Sequence, residues 1–381
     1  MTGLKSWVNT ESAHESSLIS SFLPDIGYNI LIQMSRSDNI LNILAKEFCS
    51  SEEILVALTN QGLPISKATL KRDLKELLEK NLINKTGKAK ATKYSLSPLS
   101  QLLQETDIKK YFQVELDKRD ISNSFNFKIL DLLLEHSNEI LSSTEITQIN
   151  ILNAQYQNAK SQYSETLTKK TIENFSIDFA WKSSRIEGNA YTILEAETLI
   201  KTGRTAGGKT KDDAVMLLNH KTAMDYIFEN PKYFENIDKK KVFELHQILT
   251  KELNISSGIR RRIVVIGGTK YKPLDNPFTI EEALSTICLI INRTVHPAAK
   301  AILASILIAY LQAFEDGNKR SSRVVANAVL LAYSFCPVSY RNLDETEYKK
   351  AIVLFYEQNK LSYFKQLFLE QFEFAVGNYW L

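Results

Sequence analysis

Apolar residues along this chain recur mostly at three- and four-residue spacing, and period-two alternation is scarce, which predicts a mainly α fold. The clearest local pattern lies in residues 51–97, read as SEEILVALTNQGLPIS, KATLKRDLKELLEKNLIN and KTGKAKATKYSLS in succession. In the middle piece Leu70, Leu74, Leu77 and Leu78 form one helical face and Lys67, Lys71 and Lys75 another. Ser66 stands where an N-cap belongs, while Asn81 and Gly87 mark the change from helix to turn. KAKATKYSL reads as a short basic hairpin strand. Further on, YFQVELDKRD and FKILDLLLEH read as connecting helices separated by polar stretches such as SSTEITQ. AILASILIAY and VVANAVLLAY read as two strongly apolar helices around a polar junction.

Helix, turn, basic helix and basic hairpin is the order of a winged helix-turn-helix, whose second helix enters the DNA major groove. Residues 67–93 hold nine Lys or Arg against three acids, a local excess of six. Thr69, Lys71, Arg72, Lys75, Lys88 and Lys90 are the expected DNA contacts, because phosphate neutralisation requires such a patch. A solvated lysine face in a domain that mediates only protein contacts is the competing reading. The expected organisation is an N-terminal extension at 1–37, a winged helix-turn-helix at 38–100, a helical connector at 101–160 and a larger helical domain at 161–381.

With 381 residues, 44% hydrophobic and 24% charged, and with only 13 Gly and 8 Pro, the chain has a globular composition and is neither collagen-like nor low-complexity. A net charge of +3 makes any basic function local rather than global. Cys49, Cys288 and Cys336 are distant from one another and form no CxxC pair, so neither a disulfide framework nor a zinc knuckle is expected. The N-terminus does not read as a secretion signal. The run from Ala301 to Leu311 is too short to span ~30 Å of hydrocarbon. A soluble cytoplasmic protein without membrane contact is expected, and a homodimer is compatible with this reading.

Two loops invite a phosphate. Gly203 to Thr210, GRTAGGKT, satisfies GxxxxGK[ST], but that pattern needs a buried strand before it and TILEAETLIK has helical spacing. The reading here is a linker leading into DDAVMLLNHKTAMDYIF. The stronger candidate is the junction Tyr310 to Arg323 between the two apolar helices. A helix start there presents unpaired N–H groups and partial positive charge, Gly317 allows close approach, Arg320 and Arg323 bring charge, and Asp316 can hold Mg²⁺ against phosphate oxygens. The alternative is a capping turn whose arginines pair with Glu315 and Asp316.

Residues 312–323 resemble the signature HxFx(D/E)GN(G/K)RxxR of the Fic (Fido) family, matching at Phe314, Asp316, Gly317, Asn318, Lys319, Arg320 and Arg323. Ser183, Glu187 and Gly188 resemble its inhibitory motif (S/T)xxxE(G/N), and Gly258-Ile-Arg-Arg261 followed by IVVIGGTKYKP resembles the segment leading to its flap. The resemblance covers about 160–381. It implies an all-helical Fic fold with a small β-hairpin flap and with the inhibitory helix at the N-terminal side of the domain. It further implies transfer of AMP from ATP to a hydroxyl of a target protein. By resemblance Asp316 binds Mg²⁺, and Gly317, Asn318, Lys319, Arg320 and Arg323 hold the nucleotide. Glu187 pairs with Arg323 and inhibits, and Val264, Val265 and Ile266 hold the target segment by strand addition.

The sequence departs from the family at Gln312, where the family has its catalytic His, and at Ala313, where the residue after that His is Pro. A general base contributes about 10²–10⁴-fold, and an amide cannot take the proton, although it can orient a hydroxyl. Three readings stay open: an ATP-binding loop with slow or no transfer, a substitute base, or Glu187 positioning a hydrolytic water. His220, His246 and His296 are expected to be structural. The leading expectation is an autoinhibited AMP transferase weakened at Gln312. The alternative is a degenerate ATP-binding domain in a DNA-binding transcription regulator.

Overall fold

The computed structural model describes residues 36–119, 121 and 124–380. The expected N-terminal extension lies outside the described residues up to position 35, as does the side chain of Lys90.

The first unit comprises α1 (Arg36–Leu44), α2 (Ser51–Asn60), α3 (Lys67–Glu79) and an antiparallel hairpin of β1 (Ile83–Thr86) and β2 (Lys93–Leu96), with Ile83 opposite Leu96. Ser50 closes a capping box with Glu53, and Ser66 caps α3 by accepting from the Thr69 N–H. The leucine face of α3 packs with Ile40, Ile54, Leu58, Ile83 and Leu96 into a core of its own. Asp73, alone among the buried α3 residues in being charged, is held by Arg36 of α1. The strand expected over KAKATKYSL is confined to Lys93–Leu96, because Ala89–Ala91 coil into a 3₁₀ turn between the two arms.

Four connector helices follow: α4 (Pro98–Leu102), α5 (Ile108–Gln113), α6 (Phe127–His136) and α7 (Ser143–Gln162). FKILDLLLEH forms α6 residue for residue. YFQVELDKRD does not form one helix; α5 stops at Gln113 and a 3₁₀ turn takes Leu116–Lys118. The polar stretch SSTEITQ is not a separator but the start of α7, nucleated by a capping box between Ser142 and Glu145.

The remaining helices are α8 (Glu165–Ile186), α9 (Ile193–Thr202), α10 (Lys211–Glu229), α11 (Lys239–Thr250), α12 (Pro277–Arg293), α13 (Pro297–Leu311), α14 (Asn318–Ala332), α15 (Glu345–Gln358) and α16 (Ser362–Tyr379). Ala298 through Leu311 are buried without interruption, so α13 is apolar on every side and can only be a central helix. It packs most extensively against α14, and α12, α15 and α16 also pack on it. Lys300 is the one charge within α13, and its ammonium donates to the Ile291 and Asn292 carbonyls, where α12 ends with its acceptors unpaired.

Residues 203–210 are a loop from α9 to α10, with no strand before it; Lys209 donates to the Ala190 carbonyl and pairs with Glu195. The hairpin flap expected around 264–266 is not formed as a ladder. Between α11 and α12 the chain is extended, and its β pairing among the described residues is a single bridge from Lys272 to Ser124 of the connector. Its first arm is drawn inward at Arg260 and its second at Tyr271, which leaves the arms no register in which to pair. All three cysteines are buried free thiols. Among the described residues no helix is long and apolar enough to cross a membrane.

Replacing Ser142 with Ala removes one half of the α7 capping box and is expected to cost about 1 kcal/mol. The check is a lower urea midpoint with an unchanged m value.

Candidate functional site

The site is a six-residue turn between two helices that must lie close together. At its entry Gln312 caps α13 in the left-handed region, φ 53°. At its exit Gly317 caps the start of α14 with φ 81°, and a Cβ there would meet Thr250 Cγ2 at 3.2 Å and His246 at 3.4 Å. Asn318 ties the turn together: its Oδ1 accepts from the Phe314 N–H at 2.8 Å and its Nδ2 donates to the Phe314 carbonyl at 2.8 Å. Its side chain is thus spent inside the loop, so what Asn318 can offer a phosphate is its backbone N–H. The first N–H groups of α14 have no partner within the helix.

Beneath the loop, the His246 ring stacks on Phe314 with centroids 3.7 Å apart, and Nε2 donates to the Asp316 carbonyl. Burial pushes this imidazole down to about 4. Arg260, 2% exposed, donates from Nε to the Gln312 carbonyl and through its backbone N–H to the Ala313 carbonyl, with further donation to Arg262 and Leu274. The family resemblance aligned its arginine with Arg261, which is exposed; the residue that clamps the turn is its buried neighbour Arg260.

Gln312 is fully engaged. Its Nε2 donates to the Ala309 carbonyl at 2.7 Å and to Tyr356 Oη at 3.2 Å, and its Oε1 accepts from Asn318 Nδ2 at 3.2 Å. Tyr356 in turn donates to the Ala309 carbonyl at 2.6 Å. Asp316 is exposed; its carboxylate accepts from the Gly317 N–H and pairs with Arg320 at 2.7 Å.

The charges converge on Glu187. This residue ends α8, and Gly188 with φ 99° turns the chain away so that the carboxylate stays in the site. One oxygen pairs with Arg323 Nη2 at 2.9 Å and the other with Lys319 Nζ at 2.7 Å. Arg323, 0% exposed, also donates to Ser183 through Nε onto Oγ and Nη2 onto the carbonyl. The Ser183 hydroxyl lies 2.9 Å from His220 Nε2, and His220 Nδ1 lies 2.8 Å from the Met216 carbonyl. That carbonyl requires the ring proton on Nδ1, so Nε2 accepts from Ser183 and the serine oxygen faces the guanidinium. Burial drives His220 down to about 3. Burial alone would raise Glu187, but Arg323 and Lys319 outweigh it and hold the carboxyl at about 2. Arg320 Nη1 and Arg323 Nη1 are buried without any partner.

Residues 236–330 match the Fic/DOC family. The chain is 28% identical over 173 residues to the protein adenylyltransferase Fic of Drosophila sechellia, spanning 44% of this chain and 35% of that one. It is 29% identical over 163 residues to the protein of the same name from Drosophila yakuba, spanning 42% and 32%. The match thus spans about a third of the length of these relatives. Among solved structures, Fic-1 (residues 134–508) from C. elegans superposes with a TM-score of 0.54 at 19% identity, covering 62% of this chain and 70% of that one. A Fic domain containing signaling protein from Bacteroides thetaiotaomicron gives 0.52 at 19%, covering 61% and 94%. At such identities the likeness is one of fold.

Of the sequence-derived site residues, the structure brings Ser183, Glu187, Gly188, Gln312, Asp316, Gly317, Asn318, Lys319, Arg320 and Arg323 into one region. Val264 and Ile266 are half-buried beside it and Val265 points outward at 92% exposure. Lys71, Arg72, Lys75 and Lys88 lie apart, exposed on the N-terminal unit, where Thr69 is half-buried beside Ser66. His296 caps α13.

The folded carboxyl of Glu187, at about 2, lies below its ordinary 4.5, so the stability it confers is complete above pH 4.5 and is lost as pH falls from there through 2. The gap in urea midpoint between the natural chain and Glu187→Gln is therefore expected to be flat from about pH 5 to about pH 8 and to close in more acid solution. His220 and His246, held below 6.5, destabilise both proteins alike as pH falls below that value.

Proposed function

We propose that this chain is an ATP-binding Fic protein adenylyltransferase whose resting state is blocked by Glu187 and whose transfer step is slow because no group at position 312 can take a proton. The observation that supports this reading most is the pair of buried guanidinium N–H groups, on Arg320 and Arg323, left unpartnered beside the free amides of a helix start. A polyphosphate satisfies both sets at once, which a capping turn has no need to provide.

In this reading the α14 amides and Arg320 hold the inner phosphates, and Arg323 holds the outer one once Glu187 has left it. The exposed carboxylate of Asp316 suits Mg²⁺, which takes one or two carboxylates together with substrate phosphates and keeps its waters; held there, it would supply positive charge against the phosphates. Gln312, locked by Ala309, Tyr356 and Asn318, orients the turn and does not deprotonate the target hydroxyl. His246 offers no replacement, since its Nε2 proton is committed to the Asp316 carbonyl and its Nδ1 is buried.

The test is incorporation of α-labelled ATP, with Mg²⁺, into the protein and into a lysate. Glu187→Gly is expected to raise labelling, Glu187→Gly with Gln312→His to raise it a further ~10²–10⁴-fold, and adding Arg320→Ala to abolish it. Absence of label from the His-restored chain despite ATP binding would overturn the transferase reading.

A second activity is supported by the N-terminal unit, which we read as a winged helix-turn-helix that binds DNA. The first two turns of α3 carry no acid on their outer face and present Lys67, Lys71 and Arg72 to solvent, Lys75 follows in the third turn, and Lys85, Lys88 and Lys93 of the hairpin are exposed as well. The acids of α3 are otherwise occupied: Asp73 by Arg36, Glu76 by Lys80 and Glu79 by Lys75. Replacing Lys71 and Lys75 with Ala is expected to weaken binding to a labelled duplex. The logarithmic salt slope should also become shallower by about 0.9 for each phosphate no longer neutralised. An unchanged slope would show that this face serves another partner.

A further inference from the structure

The loop accounts for phosphates but not for the rest of a nucleotide, and the residues that enclose the adjoining space do not all come from the Fic/DOC-matching segment. Next to Lys319 and Glu187 lies a cavity of about 450 Å³. That volume suits a bound small molecule. Its apolar walls are Ile186 from α8 and Tyr348 and Tyr356 from α15, with Gly267 and Gly268 from the extended segment. Ile266, Ile352 and Val353 add to the apolar lining, and so does Phe112, from connector helix α5, more than a hundred residues before the matching segment begins.

Phe112 is held in place by charges that have no part in the phosphate loop. Arg119 lies over its ring, 5.3 Å from the centroid, and over Tyr111 at 5.8 Å. The Arg119 guanidinium pairs with Glu357 at 2.9 Å, with side chains 8% and 0% exposed, and Tyr111 donates to the same carboxylate oxygen at 2.7 Å. Asp117 pairs with Lys270, and Ser124 bridges to Lys272, so the connector is also fastened to the extended segment. A buried ion pair is expensive to break from one side, which makes this attachment a defined position rather than a loose drape.

We propose that Phe112 is a nucleotide-binding residue: the connector delivers an aromatic wall that stacks on the heterocyclic base of the ligand whose phosphates occupy the 316–323 loop. This rests on the ATP-binding reading given above and adds to it the residue that makes the site prefer a nucleotide over a bare polyphosphate. The base has a π face, and the cavity offers it one ring from the connector and two tyrosines from α15, with Lys319 at the phosphate end. Stacking of a base on an aromatic side chain is worth ~1–3 kcal/mol, roughly a five- to hundredfold effect on affinity.

The experiment compares ATP with inorganic tripolyphosphate as titrants, by calorimetry on the full chain carrying Glu187→Gly, so that Arg323 is free in every sample. Phe112→Ala is expected to weaken ATP by about tenfold and to leave tripolyphosphate unchanged, while Phe112→Tyr retains the affinity for ATP. Equal weakening of both titrants would mean that Phe112 only shapes the fold, and an unaltered ATP affinity would mean that the base lies elsewhere; either result overturns the proposal. Failure of the Glu187→Gly parent, with Phe112 intact, to bind either titrant would remove the ATP-binding reading itself and this proposal with it.

Discussion

A guanidinium with no solvent exposure has to be given an anion, and Arg323 sets that demand at the centre of this protein. Removing the partner of a buried charge leaves it uncompensated, at a cost far larger than a surface pair would show. Glu187 supplies the counter-charge from α8, Ser183 one turn earlier supplies the uncharged acceptors, and His220 on α10 fixes which way the serine hydroxyl points. Three helices that would otherwise only pack against one another are thereby held in one mutual arrangement by a single side chain. In the folded chain the demand of Arg323 is met from within, by Glu187 and Ser183.

The stiffness of the surroundings gives that pairing its meaning. α13 is buried on all sides and leads into the turn, and Arg260, Asn318, His246 and Tyr356 then fix successive parts of it. Ligand-facing groups on such a turn are preorganised, so binding need not include the ordering of a mobile loop. The more exposed members, Asp316 and Lys319, are also paired, with Arg320 and Glu187.

Much of this was legible in the residues. The burial of α13 follows from its long apolar run and the turn from the Gly and Asn that close it, while the place of Glu187 was implied by the resemblance of Ser183, Glu187 and Gly188 to the family's inhibitory motif. What escaped reading was decided by partners distant in sequence. Arg260 and Arg261 are identical in type, and only the carbonyls of Gln312 and Ala313 select the first. SSTEITQ looked like a break because its side chains face solvent, yet the capping box needs only Ser142 and Glu145 to start a helix there. The hairpin flap was expected from the family resemblance of this segment, but its arms are tied to Gln312, Tyr310 and the connector rather than to each other. The role of Phe112 had no local signature at all, since it depends on an ion pair between residues 119 and 357.

The left-handed backbone at Gln312 has a bearing on how this protein can change over generations. That conformation excludes β-branched side chains but admits histidine readily. The codons for glutamine and histidine differ only in their third base. A lineage carrying this fold can therefore pass between an amide and an imidazole at the head of the loop by one nucleotide exchange, without rebuilding any backbone.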